Sequence, residues 1–155
     1  MDETTQLDQI DRKIIHELER DGRMSFSELA RRVGLSKTPC QVRLRRLREA
    51  GYILGFKAIA DPAKLGLDHI AFLEVRLSDT TEPALQAFNT AVRAASEIEQ
   101  CHMIAGSYDY LLKIRTRDIR GYRRFLADVA SNLPYLANTS THVSMEAVKD
   151  ETFRG

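Results

Sequence analysis

The stretch "LSKTPCQVRLRRLREAG", residues 35–51, decides the fold of this chain. Five of its seventeen residues are basic and one is acidic, whereas the whole chain of 155 residues has a formal net charge of +1 at pH 7. Positive charge confined to one segment of a nearly neutral protein indicates a local contact with an anion rather than a general coat of charge.

The spacing within this stretch predicts a helix with two different faces. Thr38 is the predicted N-cap, Pro39 the first helical residue because it has no N–H to lose there, and Gln41 occupies the capping-box position. Gly51 is expected to end the helix. At about 100° per residue, the inward face comprises Cys40, Leu44, Leu47 and Gly51, and the outward face Val42, Arg45, Arg46 and Glu49, with Gln41 and Arg48 on one flank. Arg43 lies toward the core edge, and Glu28 is its suggested partner.

Two shorter helices are predicted upstream. Residues 7–20 place apolar residues at helical spacing behind Asp8, a candidate N-cap. Residues 25–34, "SFSELARRVG", begin with Ser25 and Glu28 in a capping box. The period changes to two in "YILGFKAIAD" (52–61), which predicts a strand or ribbon. Three helices, the last one basic, followed by a β ribbon predict a winged helix-turn-helix.

The outward face of the basic helix suits the major groove of DNA. Arginine makes bidentate contacts to guanine, glutamine to adenine, and an apolar group can touch a thymine methyl. Phosphates lie at the start of such a helix. The predicted DNA-contacting residues are Ser36, Lys37, Thr38, Gln41, Val42, Arg45 and Arg46. The alternative is an ordinary solvated basic face, which an outward valine fits poorly.

The remainder of the chain alternates strands and helices. "PAKLGLD" (62–68) is a predicted linker, strands are predicted at 69–77, 97–106, 109–117 and 139–148, and helices at 82–96 and 118–133. The order βαββαβ is typical of a ferredoxin-like domain. The expected fold class is therefore α+β, with a winged helix-turn-helix at 1–61 and a ferredoxin-like domain at 69–155, which the family resemblance given below implies to be a ligand-sensing and oligomerisation domain.

The segment "MIAGSYDYLL" (103–112) has the chemistry of an amino-acid site. Gly106 permits a close backbone approach or a positive φ, backbone N–H groups there can hold a carboxylate, and Asp109 offers a countercharge for an ammonium group. The alternative is a plain hairpin turn in which Asp109 bonds its own backbone.

Other classes of protein fit less well. The two cysteines and four histidines are scattered, so no disulfide framework, metal cluster or catalytic set is indicated, and neither an enzyme nor a cofactor is predicted. No apolar run approaches the ~20 residues of a membrane span, and the polar start "MDETTQLDQID" does not read as a signal peptide. A cytoplasmic protein without membrane contact is expected. A ligand-independent architectural DNA-binding protein remains the competing hypothesis.

The strand at 69–77 has apolar residues on both faces, and two helices can cover only one face of the sheet. The second domain is therefore predicted to pair sheet to sheet in a homodimer, and the dimers to associate further. A DNA-binding dimer with twofold symmetry implies an operator that contains an inverted repeat.

Several stretches together resemble the leucine-responsive/asparagine-synthesis (Lrp/AsnC, feast–famine) transcriptional regulators. They are "LDQIDRKIIHELERDGR", "SFSELARRVGLSKTPCQVRLRRLREAGYI", "DPAKLG", "IEQCHMIAGSYDYLLKIRTRD" and "THVSMEAV". The resemblance covers nearly the whole chain and implies a DNA-binding regulator that senses an amino acid and forms dimers assembled into octamers or similar rings.

For the effector, this resemblance implies a site at a dimer–dimer interface around Gly106, Tyr108 and Asp109, with Ser140, Thr141 and His142 closing it. Within the family, "SKTPCQVRLRRL" and "AGYILGFKAIADPAKLGLDHIAFLEV" resemble the proline-utilisation activators, which switch on proline dehydrogenase. Proline is therefore the favoured effector, and control of amino-acid metabolism the expected role.

Overall fold

The structure, a computed structural model, describes residues 6–150, and these residues form two compact units that divide between Ile59 and Ala60. The first unit contains three helices: α1 (Gln9–Arg20), α2 (Phe26–Val33) and α3 (Lys37–Glu49). The three helices predicted from the sequence are confirmed. Each buries one apolar stripe, because residues three and four apart share a helix face. The shared core contains Ile14, Leu18, Leu29, Ala30, Val33, Cys40, Leu44 and Leu47.

The first two helices begin where their caps predict. Asp8 accepts a hydrogen bond from the Asp11 N–H at 2.8 Å, and Asp11 accepts one from the Asp8 N–H at 3.2 Å, which completes a capping box. Ser25 accepts from the Glu28 N–H at 3.2 Å. Within the described residues, Glu28 does not return the bond that the predicted box requires, because its carboxylate binds Arg31 and Arg32 instead.

The basic helix α3 begins earlier than predicted. Its N-cap is Ser36 and its third residue is Pro39, so the assignments of Thr38 as N-cap and of Gln41 to a capping-box position are wrong. The N–H groups of a first helical turn have no intrahelical acceptor, and proline is therefore tolerated throughout that turn. Gly51 follows the helix with φ of 75° and ends it as expected. It is exposed, however, and does not share the buried face.

The strand predicted at 52–61 is wrong, because these residues form no strand in the structure. The N–H groups of Tyr52 and Ile53 donate to the Leu47 carbonyl at the end of α3. Beyond them, Leu54 is 97% exposed and Phe56 is 50% exposed. Alternating apolar residues form a stable strand only where a neighbouring strand pairs with their backbone, and within residues 6–150 no strand does so.

The second unit has the predicted βαββαβ order and confirms the α+β fold class. It comprises β1 (His69–Leu77), α4 (Glu82–Ala94), β2 (Ile98–Met103), β3 (Tyr110–Thr116), α5 (Ile119–Asp128), a 3₁₀ turn (Ala130–Asn132) and β4 (Leu136–Val143). The sheet order is β2-β3-β1-β4, and every neighbouring pair is antiparallel.

Three predicted bounds in this unit need correction. β2 ends at Met103 rather than at Gly106, and the helix predicted to reach residue 133 ends at Asp128. β4 spans Leu136–Val143 instead of residues 139–148. It begins early because Leu136 already pairs with Leu77 across a register shift in β1.

The two faces of the sheet differ. Ala71, Leu73 and Val75 of β1 are fully buried against the helix side, which contributes Phe88 and Phe125 among others. The opposite face, here called the outer face, includes Ile70 and Phe72 together with charged side chains. Lys113 and Arg115 both pair with Glu99 there, at 3.1 and 2.8 Å. No described helix is long and apolar enough to cross a membrane.

Candidate nucleic-acid interface and effector cavity

The outward face of α3 is solvent-exposed as predicted. Val42 is 51% exposed, and the Arg45 side chain is 71% exposed with Glu49 at 4.0 Å as its neighbour. An exposed valine beside an extended arginine offers both an apolar and a bidentate contact for base edges. The predicted positions Ser36, Lys37, Thr38 and Gln41 are exposed as well. Six of the seven predicted DNA contacts are thus exposed, at the start of α3 and along it.

A buried acid on α1 engages two further arginines of this helix, Arg43 and Arg46. Asp11 has no exposed surface. Its Oδ1 accepts from Arg43 at 2.9 Å, and its Oδ2 accepts from Arg46 at 2.5 Å. Arg43 also binds Asp8 at 2.5 Å. A buried carboxylate requires such partners, because leaving its charge unpaired away from water is strongly unfavourable. The Asp11 contacts therefore tie α1 directly to α3.

These contacts change the interpretation of two arginines. The suggested pair between Arg43 and Glu28 is wrong. Glu28 is occupied by Arg31 at 2.6 Å and Arg32 at 2.8 Å, and these guanidinium groups lower its pKa to about 2. Arg46 remains 42% exposed, but its guanidinium faces Asp11.

Sequence reasoning missed the role of Asp11, although the sequence contains a signal for it. Leu7, Asp11, Ile14 and Leu18 follow one another at spacings of four, three and four, so the aspartate interrupts an otherwise apolar stripe. An acidic residue in the buried stripe of one helix predicts a basic partner on a neighbouring helix.

In the second unit, Asp109 joins the turn after β2 to the end of β1. Its Oδ2 accepts from the Leu77 N–H at 2.7 Å. Its own N–H donates to the Val75 carbonyl at 2.9 Å, and its carbonyl accepts from the Ile104 N–H at 2.8 Å. The carboxylate bonds the backbone of a neighbouring strand rather than that of its own turn, so both interpretations of this residue from sequence need revision.

Gly106 lies in the same turn and is exposed. It does not adopt a positive φ, so that half of its prediction is wrong; Gly34, Gly51 and Gly66 are the described glycines that do. A Cβ at Gly106 would meet only the Ile104 Cγ2, at 3.8 Å. The space beside the backbone remains open, which is compatible with the close approach of a ligand.

A cavity of about 320 Å³ lies next to this turn on the outer face, lined by Glu74, Arg76, Ser107, Tyr108, Asn138, Thr139 and Ser140. It brings together two of the predicted effector residues, Tyr108 and Ser140. Gly106, Asp109 and Thr141 do not line it. The Thr141 hydroxyl instead lies 2.7 Å from the Tyr122 hydroxyl on α5. His142 lies 3.3 Å from Glu74.

Sequence reasoning missed Glu74, Arg76, Asn138 and Thr139 of this cavity, and the first two are its charged residues. Glu74 and Arg76 alternate with buried residues of β1 and therefore share its outer face. Glu74 provides a carboxylate and Arg76 a guanidinium, which also donates to the Ser107 carbonyl in the turn. These are the two charges that complement the ammonium and carboxylate groups of an amino acid.

Comparison with known proteins gives consistent results for both units. A family model described as the AsnC-type helix-turn-helix domain matches residues 7–48, and one described as the Lrp/AsnC ligand binding domain matches residues 70–153. The chain is 62% identical over 147 residues to the proline dehydrogenase transcriptional activator of Rhizobium radiobacter, covering 95% of this chain and 94% of that protein.

Two further matches are more distant. The leucine-responsive regulatory protein of Escherichia coli strain K12 is 45% identical over 143 residues, covering 92% of this chain and 87% of that protein. A crystal structure of a transcriptional regulator from Neisseria meningitidis in complex with L-Met superposes with a TM-score of 0.86 at 29% identity, covering 97% of each chain.

Proposed function

The chain belongs to the Lrp/AsnC family of transcriptional regulators, and from that premise we propose that it reads operator DNA through α3 and responds to an amino acid bound beside the turn at 104–109. The observation that carries the DNA part is the open face of α3, on which Val42 and Arg45 project while Arg43 and Arg46 are engaged by Asp11.

The residues of α3 have different roles in this proposal. Ser36, Lys37 and Thr38 at its start contact phosphates and the first base edges. Gln41, Val42 and Arg45 read bases in the major groove. Arg46 contacts DNA from the edge of this surface, because its guanidinium is shared with Asp11.

The first test compares two arginine variants in DNA-binding titrations. Arg45→Ala should weaken operator binding by about 1–3 kcal/mol, roughly a 5- to 150-fold loss in affinity, without lowering the thermal midpoint. Arg46→Ala should weaken binding less and lower the midpoint, because Asp11 loses a partner. Operator affinity equal to that of the wild type in Arg45→Ala would show that α3 is not oriented as proposed.

For the effector, the proposal places an amino acid in the cavity on the outer face. Arg76 receives its carboxylate and Glu74 its ammonium group, while Tyr108 and Ser140 close the site. Gly106 leaves room beside the turn. Asp109 contributes charge and holds the turn against β1 through Leu77. Thr141 and His142 act at the edge of the site, through Tyr122 and Glu74 respectively.

Proline is the proposed effector, and activation of proline catabolism the proposed role. Both rest on the relative named proline dehydrogenase transcriptional activator, which is 62% identical. The chain then acts as a regulator and not as an enzyme, at DNA in the cytoplasm. A protonated secondary amine still has N–H donors for the Glu74 carboxylate, while Asp109 acts from outside the cavity.

Calorimetric titration with proline and with a chemically diverse set of other amino acids tests the site. The wild type should bind proline, and Arg76→Gln should bind it much more weakly because the carboxylate loses its bidentate partner. Asp109→Asn is preferred to Asp109→Ala, since an amide oxygen can still accept from Leu77 while the charge is removed. Arg93→Gln, which changes an exposed arginine on α4, is the matched control and should bind as the wild type does.

Failure of the wild type to bind any of the amino acids would favour a ligand-independent architectural DNA-binding protein. Binding by Arg76→Gln and Asp109→Asn that equals wild-type binding would place the effector elsewhere in the second unit. If the site is coupled to DNA binding, proline and operator must change each other's affinity by the same factor.

We also propose that the outer face of the sheet pairs with the same face of a second copy, and that the dimers assemble further. Ile70 and Phe72 lie there, on the side away from α4 and α5. Ile70 is only 8% exposed, whereas Phe72 is partly exposed, so Phe72 is the apolar side chain on this face that a second copy would cover. A dimer would present two copies of α3 to an operator that contains an inverted repeat.

A further inference from the structure

The helix α5 carries a concentration of positive charge that the proposed function does not use. Residues 117–124, "RDIRGYRR", contain four arginines and one aspartate. All four arginines, Arg117, Arg120, Arg123 and Arg124, are exposed. We call them the α5 arginine surface. Asp118, within this stretch, is occupied as the N-cap of the helix, where it accepts from the Gly121 N–H at 2.7 Å.

The packing of α5 holds these arginines toward solvent. Tyr122 and Phe125 on the opposite side are each 2% exposed and belong to the core of the second unit. Arg120, Arg123 and Arg124 line one shallow depression of about 290 Å³. Arg117 and Arg124 line a second depression, of about 320 Å³. Arg124 thus connects two adjacent surface depressions on a rigidly anchored helix. Asp128 lines the same depressions and Glu97 lines one of them, but neither forms an ion pair with these arginines among the described residues.

These four arginines differ from the arginines of α2 and from Arg43 in having no ion pair with a carboxylate among the described residues. Among residues 6–150, none of the four lies within 4.0 Å of an acidic side chain in an ion pair. By contrast, Arg31, Arg32 and Arg43 each contact at least one carboxylate within 3.0 Å. Exposed like charges on neighbouring helix positions repel one another, so this arrangement is unfavourable until an anion binds.

We propose that the α5 arginine surface binds DNA phosphates without regard to base sequence, as a second DNA-contacting surface in the ligand-binding unit. The proposal rests on the DNA-binding function, but it concerns a helix outside the helix-turn-helix. Guanidinium groups bind phosphate oxygens in a bidentate manner. DNA carries one charge per about 1.7 Å of helix axis, so a surface with four exposed arginines, three of them on α5 and one just before it, is electrostatically complementary to it.

Binding to phosphates has a measurable signature that binding to bases lacks. Each phosphate neutralised releases condensed counterions, and the logarithm of the affinity falls against the logarithm of salt concentration with a slope of about −0.9 per neutralised phosphate. The proposed surface should therefore contribute to that slope equally on any duplex.

The experiment measures binding of the full chain to a fluorescent duplex of arbitrary sequence over a series of salt concentrations. The triple variant Arg120→Gln, Arg123→Gln, Arg124→Gln should bind more weakly than the wild type at low salt. Its slope should be shallower by about 0.9 for each phosphate that the variant no longer neutralises. The corresponding triple lysine variant should keep most of the slope, and Arg93→Gln on α4 should keep all of it.

If the salt dependence of DNA binding has the same slope in the triple glutamine variant as in the wild type, the proposal is wrong. The α5 arginine surface would then bind another anionic partner, such as an acidic protein segment or an anionic membrane. If the triple variant fails to fold, the single variants Arg120→Gln and Arg123→Gln give the same readout. The Arg45→Ala variant distinguishes failure of this proposal from failure of the proposed function. It tests the contacts of α3 with operator DNA and leaves the α5 arginine surface unchanged.

Discussion

Asp11 shows how one residue can stabilise a reading helix without touching DNA. Its side chain is 1% exposed and binds two arginines of α3 while also capping α1. Asp11 thereby limits which arginines of α3 can extend into a groove, and Arg45 is the outward arginine that it leaves unrestrained.

At this scale, Asp11→Ala is expected to lower the free energy of unfolding by about 3 kcal/mol, the lower end of what breaking a buried ion pair costs, because both arginines remain partly exposed. Urea denaturation measures the loss. Asp8→Ala is the control and should lose less, since its carboxylate is 47% exposed. Equal losses in the two variants would show that burial of Asp11 is not the stabilising factor.

At the scale of elements, the two functional regions use glycine for different reasons. Gly34 ends α2 with φ of 78°, a conformation that side chains with a Cβ rarely adopt. Gly106 lies in the turn at 104–109; it has no positive φ, and the space around it is open. Gly34 is required because of its left-handed backbone conformation, whereas Gly106 is required only if a ligand approaches its backbone closely.

Two alanine variants separate these cases. Gly34→Ala should lower the free energy of unfolding by about 1–2 kcal/mol because of its left-handed backbone, although no atom lies within 4 Å of the added Cβ. Gly106→Ala should leave stability unchanged and weaken effector binding in calorimetry. A Gly106→Ala variant with unchanged stability and full proline affinity would show that the ligand does not approach this turn.

Local patterns in the sequence were sufficient to predict helices and strands whose buried residues recur at the regular spacing of that helix or strand. The buried face of α3 formed by Cys40, Leu44 and Leu47 and the strand at 69–77 are of this kind. The prediction of a ribbon at 52–61 was wrong because it rested on the alternation of apolar and polar side chains. That alternation does not show whether another strand pairs with the backbone. The start of α3 was misplaced because proline is acceptable at any position of a first turn.

The effector cavity could be predicted only in part. Tyr108 lies in a recognisable turn, but Glu74 and Arg76 enter the site through the antiparallel register that places Glu74 opposite Ser140. Register depends on the packing of the whole sheet, so no local pattern contains it. The roles of the individual residues of the cavity remain predictions.

At the scale of the whole molecule, the proposed assembly depends on the outer face of the sheet. Phe72 lies there between the register partners Lys113 and His142. A stable interface buries at least about 1,000 Å², so the apolar residues of this face must be joined by the surrounding polar ones. A covered outer face would also bring the effector cavities of two copies onto the buried side of the sheets.

Sedimentation tests this assembly. Phe72→Asp is expected to shift the protein to a monomer at micromolar concentration with its fold retained, because the interface would lose the apolar area of the phenylalanine and would have to desolvate a carboxylate. Ile119→Asp, which changes a 50% exposed residue on the helix side of the same unit, should sediment as the wild type does. A wild-type monomer, or a Phe72→Asp dimer, would contradict the proposed sheet-to-sheet pairing.

The two cysteines give each unit its own reporter of local opening. Cys40 is fully buried on the inward face of α3, Cys101 is partly exposed on β2, and burial raises the pKa of both thiols. A thiol-labelling reagent can therefore modify Cys40 only during transient separation of the first three helices. Its labelling rate with and without operator DNA would report the opening equilibrium of that unit alone, in a chain that needs no introduced probe.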